Sequence, residues 1–128
     1  MQRFDIEEQR SLRYNRPFAV FMLDIDYFKI YNDQNAHING DNVLKKVADL
    51  LNGILRKTDI VARYGGEEFI ILLPEISKDQ AKIVAEKLRK KIANSNFLFA
   101  TNQPGGKLTI SIGVSTYPDF RRARSPGG

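Results

Sequence analysis

The chain has 128 residues and a formal net charge of +5, and 42% of its residues are hydrophobic. This length and apolar content suit a single globular domain with a substantial core. The absence of cysteine excludes disulfides, thiolate metal sites and cysteine nucleophiles. No apolar run approaches the roughly 18 residues of a spanning helix, and no signal peptide opens the chain, so we expect no direct membrane insertion.

The positive charge falls mainly on one predicted helix and on the tail, and it favours an anionic partner such as a nucleotide. A solvated face is the commoner explanation of such runs. No aromatic residues are interleaved with the basic ones, so we expect no binding to nucleic acid. The basic residues concerned are Lys87, Arg89, Lys90, Lys91, Arg121, Arg122 and Arg124.

The first part of the chain predicts a helix, a buried strand and a second helix. Asp5 to Tyr14 is charged and helical in pattern, and Pro17 limits it. Phe18 to Leu23 is a continuous apolar run with aromatics, which is typical of a central strand. Tyr27 to Asn35 predicts a short amphipathic helix, which is followed by a polar loop through Gly40.

A longer helix comes next, and then a hairpin. Asp41 precedes a regular apolar stripe from Val43 to Leu55, so we predict that it is the helix N-cap. Ile60–Tyr64 and Phe69–Leu73 predict the two strands of a β-hairpin. The Gly65-Gly66 pair between them predicts a tight tip, where positive φ is needed and glycine adopts it cheaply.

The remaining elements predict a helix, two strands and a turn. Lys78–Ala93 is amphipathic, and Phe97–Ala100 predicts a short strand. Pro104–Gly106 predicts a turn, and Leu108–Val114 alternates between apolar and polar residues as a half-buried strand does. This order of elements predicts an α+β fold with a mostly antiparallel central sheet flanked by helices.

We predict one domain over residues 1–119, because the pattern contains neither an internal repeat nor a linker. After Pro118 the sequence loses its periodicity. Residues 120–128 are therefore predicted to be a disordered tail or sequence foreign to the domain.

The chemistry that the residues themselves indicate is a cluster of carboxylates. Asp24 and Asp26 stand at the end of the central strand, and Glu67 and Glu68 follow the hairpin tip. If the hairpin lies beside that strand, these oxygens favour Mg²⁺, which leaves room for substrate phosphates. A set of surface acids at element ends explains the pattern equally well. Lys29, which follows the strand, is a single candidate phosphate contact.

Six short motifs occur in order from about Phe18 to Tyr117. They are Leu23-Asp24-Ile25-Asp26-Tyr27-Phe28-Lys29, Asn32-Asp33, His37, Gly40-Asp41, Arg63-Tyr64-Gly65-Gly66-Glu67-Glu68-Phe69 and Ser111-Ile112-Gly113-Val114. Each motif alone is weak, but together, at these intervals, they resemble the GGDEF diguanylate cyclases. The resemblance implies a five-stranded antiparallel sheet of the nucleotide-cyclase type, which is related to the ferredoxin-like βαββαβ arrangement.

The resemblance implies a metal site for Mg²⁺ or Mn²⁺ at the acidic cluster. Asp24 matches the first metal-binding aspartate, the backbone carbonyl of Ile25 is the neighbouring ligand, and Glu67 matches the second carboxylate. Glu67 is also implied as a catalytic residue that helps to deprotonate the ribose 3′-hydroxyl. Glu68, beside it, is implied as a second catalytic acid that joins the metal shell.

By the same resemblance, two sets of residues bind GTP. Asn32 and Asp41 hydrogen-bond guanine, and a carboxylate that accepts from the guanine N–H edge explains a preference for GTP over ATP. Gly66 gives the nucleotide close access to the backbone. The implied phosphate-binding turn consists of Lys29 with the backbone amides of Tyr27 and Phe28.

The implied reaction condenses two molecules of GTP into cyclic di-GMP and releases pyrophosphate. Each 3′-hydroxyl attacks the α-phosphorus of the other GTP, so two domains face each other in a homodimer. The resemblance also implies an upstream sensory or receiver domain in a longer parent protein. We expect a cytoplasmic location, either of a free protein or of the cytoplasmic domain of a membrane-bound parent.

Arg56 and Asp59 form an Arg-x-x-Asp tetrad shortly before the glycine pair. Such a tetrad is common by chance where a helix ends and a strand begins. In the family, the same tetrad at the same distance forms an inhibitory product site. There the arginine binds a phosphate and the aspartate a guanine of cyclic di-GMP. Lys87 falls where the family often places another basic contact to this site.

The chain departs from the family pattern at both ends. It lacks the usual Asp-x-Leu-Thr-Gly-Leu-x-Asn-Arg turn, and it lacks the C-terminal helix whose basic residues bind the GTP β- and γ-phosphates. A second hypothesis is therefore a catalytically inactive module that binds cyclic di-GMP or GTP as a regulatory sensor. A third, a cyclase with an adenine-containing product, is disfavoured by Asp41.

Overall fold

The computed structural model of the chain describes residues 16–118. The predicted helix Asp5–Tyr14 and the predicted tail of residues 120–128 lie outside the described residues. In chain order the elements are β1 (Phe18–Ile25), α1 (Phe28–Asn35), α2 (His37–Ile54), β2 (Ile60–Arg63), β3 (Glu68–Pro74), α3 (Lys78–Ala93), two 3₁₀ segments (Ala100–Asn102 and Pro104–Gly106) and β4 (Ile110–Tyr117).

β1 lies inside a four-stranded sheet with the strand order β2-β3-β1-β4. It pairs antiparallel with β3 on one side and with β4 on the other, and β2 pairs antiparallel with β3 as the predicted hairpin. The prediction of an α+β fold with a mostly antiparallel sheet is confirmed. The resemblance implied five strands, whereas residues 16–118 form four.

Side chains of β1 alternate between the two faces of the sheet. Those from Ala19 to Ile25 that face the helices are buried in the main core, to which α1, α2 and α3 all contribute. A smaller apolar cluster occupies the opposite face. By this alternation Asp24 belongs to the opposite face, and it is exposed at the end of the strand. The small cluster consists of Phe18, Val20 and Leu72.

α3 spans the residues predicted for it and begins with a capping box. Gln80 N donates to Ser77 Oγ at 3.2 Å, and Ser77 N donates to Gln80 Oε1 at 3.1 Å. These reciprocal bonds satisfy two backbone donors at the helix start. Among the described helices, none combines the length and the apolar character that crossing a membrane requires.

α2 begins at His37, so the predicted N-cap at Asp41 and the predicted polar loop before it are wrong. Only Ala36 separates α1 from α2, and its φ of 68° redirects the chain between them. Asn39 Nδ2 donates to Asn35 O at 2.5 Å across this break. Asn39, one of the polar residues that indicated a loop, therefore satisfies a backbone carbonyl at the end of α1 instead.

The hairpin tip also differs from its prediction. In the part of the chain that the structure describes, the glycines with positive φ are Gly105 and Gly106, and the Gly65-Gly66 pair is not among them. The connection between β2 and β3 runs from Tyr64 to Glu67, which is longer than a two-residue turn. A connection of this length can reverse the chain without positive φ, whereas the two-residue turn requires it.

The predicted strand Phe97–Ala100 is a turn that leads into a 3₁₀ segment. Tyr31 Oη donates to Leu98 O at 2.6 Å, and Phe99 has a φ of 63°. The carbonyl that a strand would offer for pairing is therefore bound by a side chain. Burial raises the pKa of the Tyr31 hydroxyl, which keeps it a neutral donor.

Candidate functional site

The turn after β1 borders a groove of about 450 Å³. Tyr27, between β1 and α1, has a φ of 56°, which is uncommon for a bulky residue, and its side chain is exposed. The groove brings predicted metal ligands and predicted phosphate contacts together. It is lined by Asp24, Ile25, Asp26, Tyr27, Phe28, Lys29, Glu67 and Ser111.

Backbone pairing brings the hairpin tip to the end of β1. Asp24 is the register partner of Glu68, and Ile25 N donates to Glu67 O at 3.2 Å. Glu67 therefore lies beside the Asp24–Ile25 segment and lines the same groove. Glu68 is not among the lining residues. Its carboxylate folds over the tip, because a Cβ on Gly65 would lie 3.1 Å from Glu68 Oε2.

Two carboxylates at this groove suit a magnesium or manganese ion, which prefers oxygen ligands. The side chains of Asp24 and Glu67 form no hydrogen bond or ion pair with the described residues, so their oxygens are available to a cation. Within residues 16–118 no three His, Cys, Asp or Glu side chains are grouped to hold a metal. An ion here would therefore take further ligands from the Ile25 carbonyl, water and substrate phosphates.

Asp26 lines the groove but is bound to β4. Thr109 Oγ1 donates to Asp26 Oδ2 at 2.7 Å, and Ser111 Oγ donates to Asp26 Oδ1 at 2.6 Å. Asp26 N also donates to Thr109 O at 3.0 Å. Because both carboxylate oxygens accept from hydroxyls, Asp26 holds the turn in place, and Asp24 presents the free carboxylate.

The two residues predicted to bind guanine lie on neighbouring helices, Asn32 on α1 and Asp41 on α2. Asn32 packs against Gly40, since a Cβ on that glycine would lie 1.9 Å from Asn32 Oδ1. Asn32 thus lies against the backbone that immediately precedes Asp41. Asp41 lines a second groove of about 490 Å³, and Asn32 lines neither groove. The apolar residues that line the second groove are Leu44, Ala48, Val61 and Phe69.

The space beside Gly66 at the hairpin tip is open. A Cβ added to this glycine would have no protein atom within 4 Å. Arg63 crosses the tip from β2. Its Nε donates to Gly65 O at 3.3 Å and its Nη2 donates to Gly66 O at 2.8 Å. Arg63 also lines the second groove together with Asp41. Arg63 is part of the Arg63–Phe69 motif, but the sequence analysis assigned no function to it.

Comparison with known proteins identifies the family. Residues 1–125 match the family model described as diguanylate cyclase, GGDEF domain. The chain belongs to this family. It is 43% identical over 110 residues to diguanylate cyclase A of Treponema denticola, and this match covers 84% of the chain and 29% of that protein. The chain therefore spans less than a third of that relative's length.

Two solved structures show the same fold. The active GGEEF domain of a diguanylate cyclase from Vibrio cholerae superposes with a TM-score of 0.79 at 33% identity, covering 87% of this chain and 69% of that one. The GGDEF domain of DgcB from Caulobacter crescentus, solved in complex with c-di-GMP, gives a TM-score of 0.80 at 27% identity. That match covers 99% of this chain and 71% of that one.

In this GGDEF domain the predicted product-site pair, Arg56 and Asp59, forms an ion pair. Arg56 Nη2 donates to Asp59 Oδ1 at 2.8 Å and to Pro74 O at 2.6 Å, and Arg56 N donates to Asp59 Oδ2 at 2.7 Å. The side chain of Asp59 is only 2% exposed, whereas that of Arg56 is 47% exposed. Asp59 would therefore have to separate from Arg56 before it could contact a ligand. Lys87 is exposed on α3.

Sequence reasoning gave no role to the residues that hold the Asp26–Tyr27 turn. Besides Thr109 and Ser111, Gln103 Nε2 donates to Tyr27 O at 3.3 Å, although Gln103 is only 4% exposed. The alternation of polar and apolar residues at the start of β4 signals that Thr109 and Ser111 share a face. Gln103 follows a 3₁₀ segment, and nothing in the local sequence indicates its contact.

Proposed function

We propose that this GGDEF domain condenses two molecules of GTP into cyclic di-GMP and releases pyrophosphate. The observation that carries the proposal is the single groove in which Asp24, Ile25 and Glu67 meet the turn from Tyr27 to Lys29. Membership of the diguanylate cyclase family supports it independently.

In this proposal Asp24, Glu67 and the Ile25 carbonyl hold a magnesium or manganese ion. Such an ion, when bound, lowers the pKa of the ribose 3′-hydroxyl and stabilises charge on the α-phosphate and the leaving pyrophosphate. Glu67 accepts the proton of that hydroxyl and passes it to solvent. Glu68 takes part in the metal shell only if its carboxylate moves away from Gly65.

The remaining residues bind and orient the nucleotide. Lys29 and the backbone amides of Tyr27 and Phe28 bind phosphate, and Asn32 and Asp41 bind guanine, with Gly66 leaving room at the tip. The 3′-oxygen of one GTP forms a bond to the α-phosphorus of the other, and the bond from that phosphorus to pyrophosphate breaks. Because each domain holds one GTP, two copies must face each other in a homodimer.

The test is production of cyclic di-GMP from GTP and Mg²⁺, followed by chromatography, with wild-type protein and two variants. Glu67→Gln removes the proton acceptor and one metal ligand, so we expect its rate to fall about 100-fold or more. The matched control is Glu75→Gln, which removes an acid that pairs with Arg16 beyond the opposite end of β3. A Glu67→Gln rate equal to that of the control contradicts the role of Glu67.

A second candidate function is a regulatory sensor that binds cyclic di-GMP at Arg56 and Asp59. In an active cyclase, the same two residues would form the site of product inhibition. The half-exposed side chain of Arg56 favours it, because an arginine that is open to solvent can bind a phosphate. Lys87 is proposed as a further contact. Product from GTP would exclude a purely regulatory role for the chain.

Calorimetric titration with cyclic di-GMP tests this site. In Arg56→Ala the affinity should fall about tenfold or more, because a hydrogen bond to a charged group contributes about 1.5–3 kcal/mol. Arg89→Ala, which removes a surface arginine paired with Glu86, should leave the affinity unchanged. The absence of binding by the wild type, or equal binding by Arg56→Ala, would exclude both the sensor and product inhibition at this site.

A further inference from the structure

The contact between α1 and α2 is closest at Gly40. A Cβ on Gly40 would lie 1.9 Å from Asn32 Oδ1, 3.0 Å from Asn32 Cγ and 3.2 Å from Phe28 Cζ. Real Cβ atoms essentially never approach a neighbouring atom at the first of these distances. Any other residue at this position would therefore displace the carboxamide of Asn32 or separate the two helices.

The buried end of Asn32 has no hydrogen-bond partner. Its Oδ1 is among the buried polar atoms left without one in the described residues. Its Nδ2 is not among those buried atoms, and it makes no hydrogen bond with the described residues. An unsatisfied buried acceptor lowers stability, so the packing on Gly40 confers no stability through Oδ1. It does fix the carboxamide so that the amide nitrogen remains available to a ligand.

Gly40 is unfavourable for the helix itself, because glycine is a poor helix former in an interior position. The second glycine of α2 provides a comparison within the same element. A Cβ on Gly53 would meet no atom within 4 Å, so that site has room for a side chain. The space beside Gly40 is thus specific to the contact with Asn32 and does not reflect a general feature of α2.

We propose that Gly40 is a positioning residue that sets the spacing between the Asn32 carboxamide and the Asp41 carboxylate, and thereby the selectivity for guanine. The proposal rests on the proposed function. Guanine presents adjacent N–H donors together with ring and carbonyl acceptors, so a carboxylate and an amide nitrogen read it only at a fixed separation. The groove of Asp24 and Glu67 includes neither Gly40 nor Asn32. The binding of the GTP phosphates in that groove should therefore not depend on the contact between Gly40 and Asn32.

The test is a double-mutant cycle on the full chain with Gly40→Ala, Asn32→Ala and the double variant, and with Gly53→Ala as the matched control. Calorimetry measures, in the presence of Mg²⁺, the binding of inorganic triphosphate and of GTP and ATP in analogues whose α,β-bridging oxygen is replaced by a methylene group, so that no pyrophosphate can be released. In Gly40→Ala we expect GTP affinity to fall about tenfold or more while triphosphate affinity changes less than about twofold. In the Asn32→Ala background, Gly40→Ala should have almost no further effect on GTP binding. Gly53→Ala should bind all three ligands as the wild type does.

Three results would overturn the proposal: unchanged GTP affinity in Gly40→Ala, additive losses in the cycle, or an equal loss of triphosphate binding. Thermal unfolding of the same variants separates this inference from the proposed function. Gly40→Ala should give a lower Tm relative to its parent in the wild type than in the Asn32→Ala background, where alanine keeps its advantage in the helix and meets no clash. If the wild type binds no GTP, the proposed function fails, and the thermal cycle alone decides whether Gly40 positions Asn32. Additive changes in Tm would then exclude that contact.

Discussion

Asp24 and Asp26 show how two identical residues, two positions apart, come to differ in their contacts. Asp24 lies within β1 and carries a free carboxylate, whereas Asp26 lies in the turn and accepts hydrogen bonds from Thr109 and Ser111. These hydroxyl bonds, with the backbone bond from Asp26 to Thr109, connect the turn to the start of β4. The conformation of the groove therefore depends on side chains outside the glycine motif.

This dependence predicts the effect of Thr109→Val, which keeps the shape of the side chain but removes the hydroxyl. Asp26 Oδ2 loses its donor, so we expect the free energy of unfolding to fall by about 1 kcal/mol. Urea denaturation measures the change. Thr101→Val is the control, because Thr101 is exposed and makes no hydrogen bond with the described residues. An equal effect of the two substitutions would contradict the role of Thr109.

Pairing of β3 with β1 places the acids of the hairpin where they could act. The register that pairs Asp24 with Glu68 also buries Phe69, Ile71 and Leu73 on the helix side of the sheet. A slip of one residue would turn these side chains to the opposite face and would bring Glu68, Ile70 and Leu72 to the helix side in their place. The observed register keeps the charged Glu68 off the helix side and brings Glu67 to the end of β1.

Two helices in immediate succession produce the arrangement of the predicted guanine contacts. α1 and α2 are separated by Ala36 alone, so they cannot lie in line, and they pack closely at Gly40. With the predicted polar loop between the helices, the position of Asn32 would not have fixed the position of Asp41. The break at Ala36 places both residues beside one helix crossing.

At the scale of the whole molecule, the proposed reaction requires two domains, because in that proposal each domain holds one GTP. The initial rate of pyrophosphate release per domain should therefore rise with protein concentration until the dimer is saturated. A version fused to a dimeric coiled coil should show a rate per domain independent of concentration. A constant rate per domain for the unfused chain, from nanomolar to micromolar concentration, would contradict assembly during turnover.

Much of the fold follows from local sequence patterns. The helix from Lys78 to Ala93 was predicted at its observed bounds, because its regular apolar stripe is a signal that acts within a few residues. The hairpin strands and the central strand were predicted within one or two residues, since continuous apolar runs are local signals. Errors occurred at Asp41, Gly65-Gly66 and Phe97–Ala100, where contacts distant in sequence or the length of a connection decided the backbone.

In the candidate site, too, some features follow from the sequence and others only from the tertiary structure. The sequence by itself determined which residues are candidates, because carboxylates, glycines and a lysine at these intervals resemble one family. Only the tertiary structure decided that Asp26 is bound to β4, that Asp59 is enclosed by Arg56, and that Asn32 rests on Gly40. The physical reason is that a hydrogen bond or a close packing contact between distant segments depends on their positions in space. A sequence pattern specifies the chemical groups but not their separation.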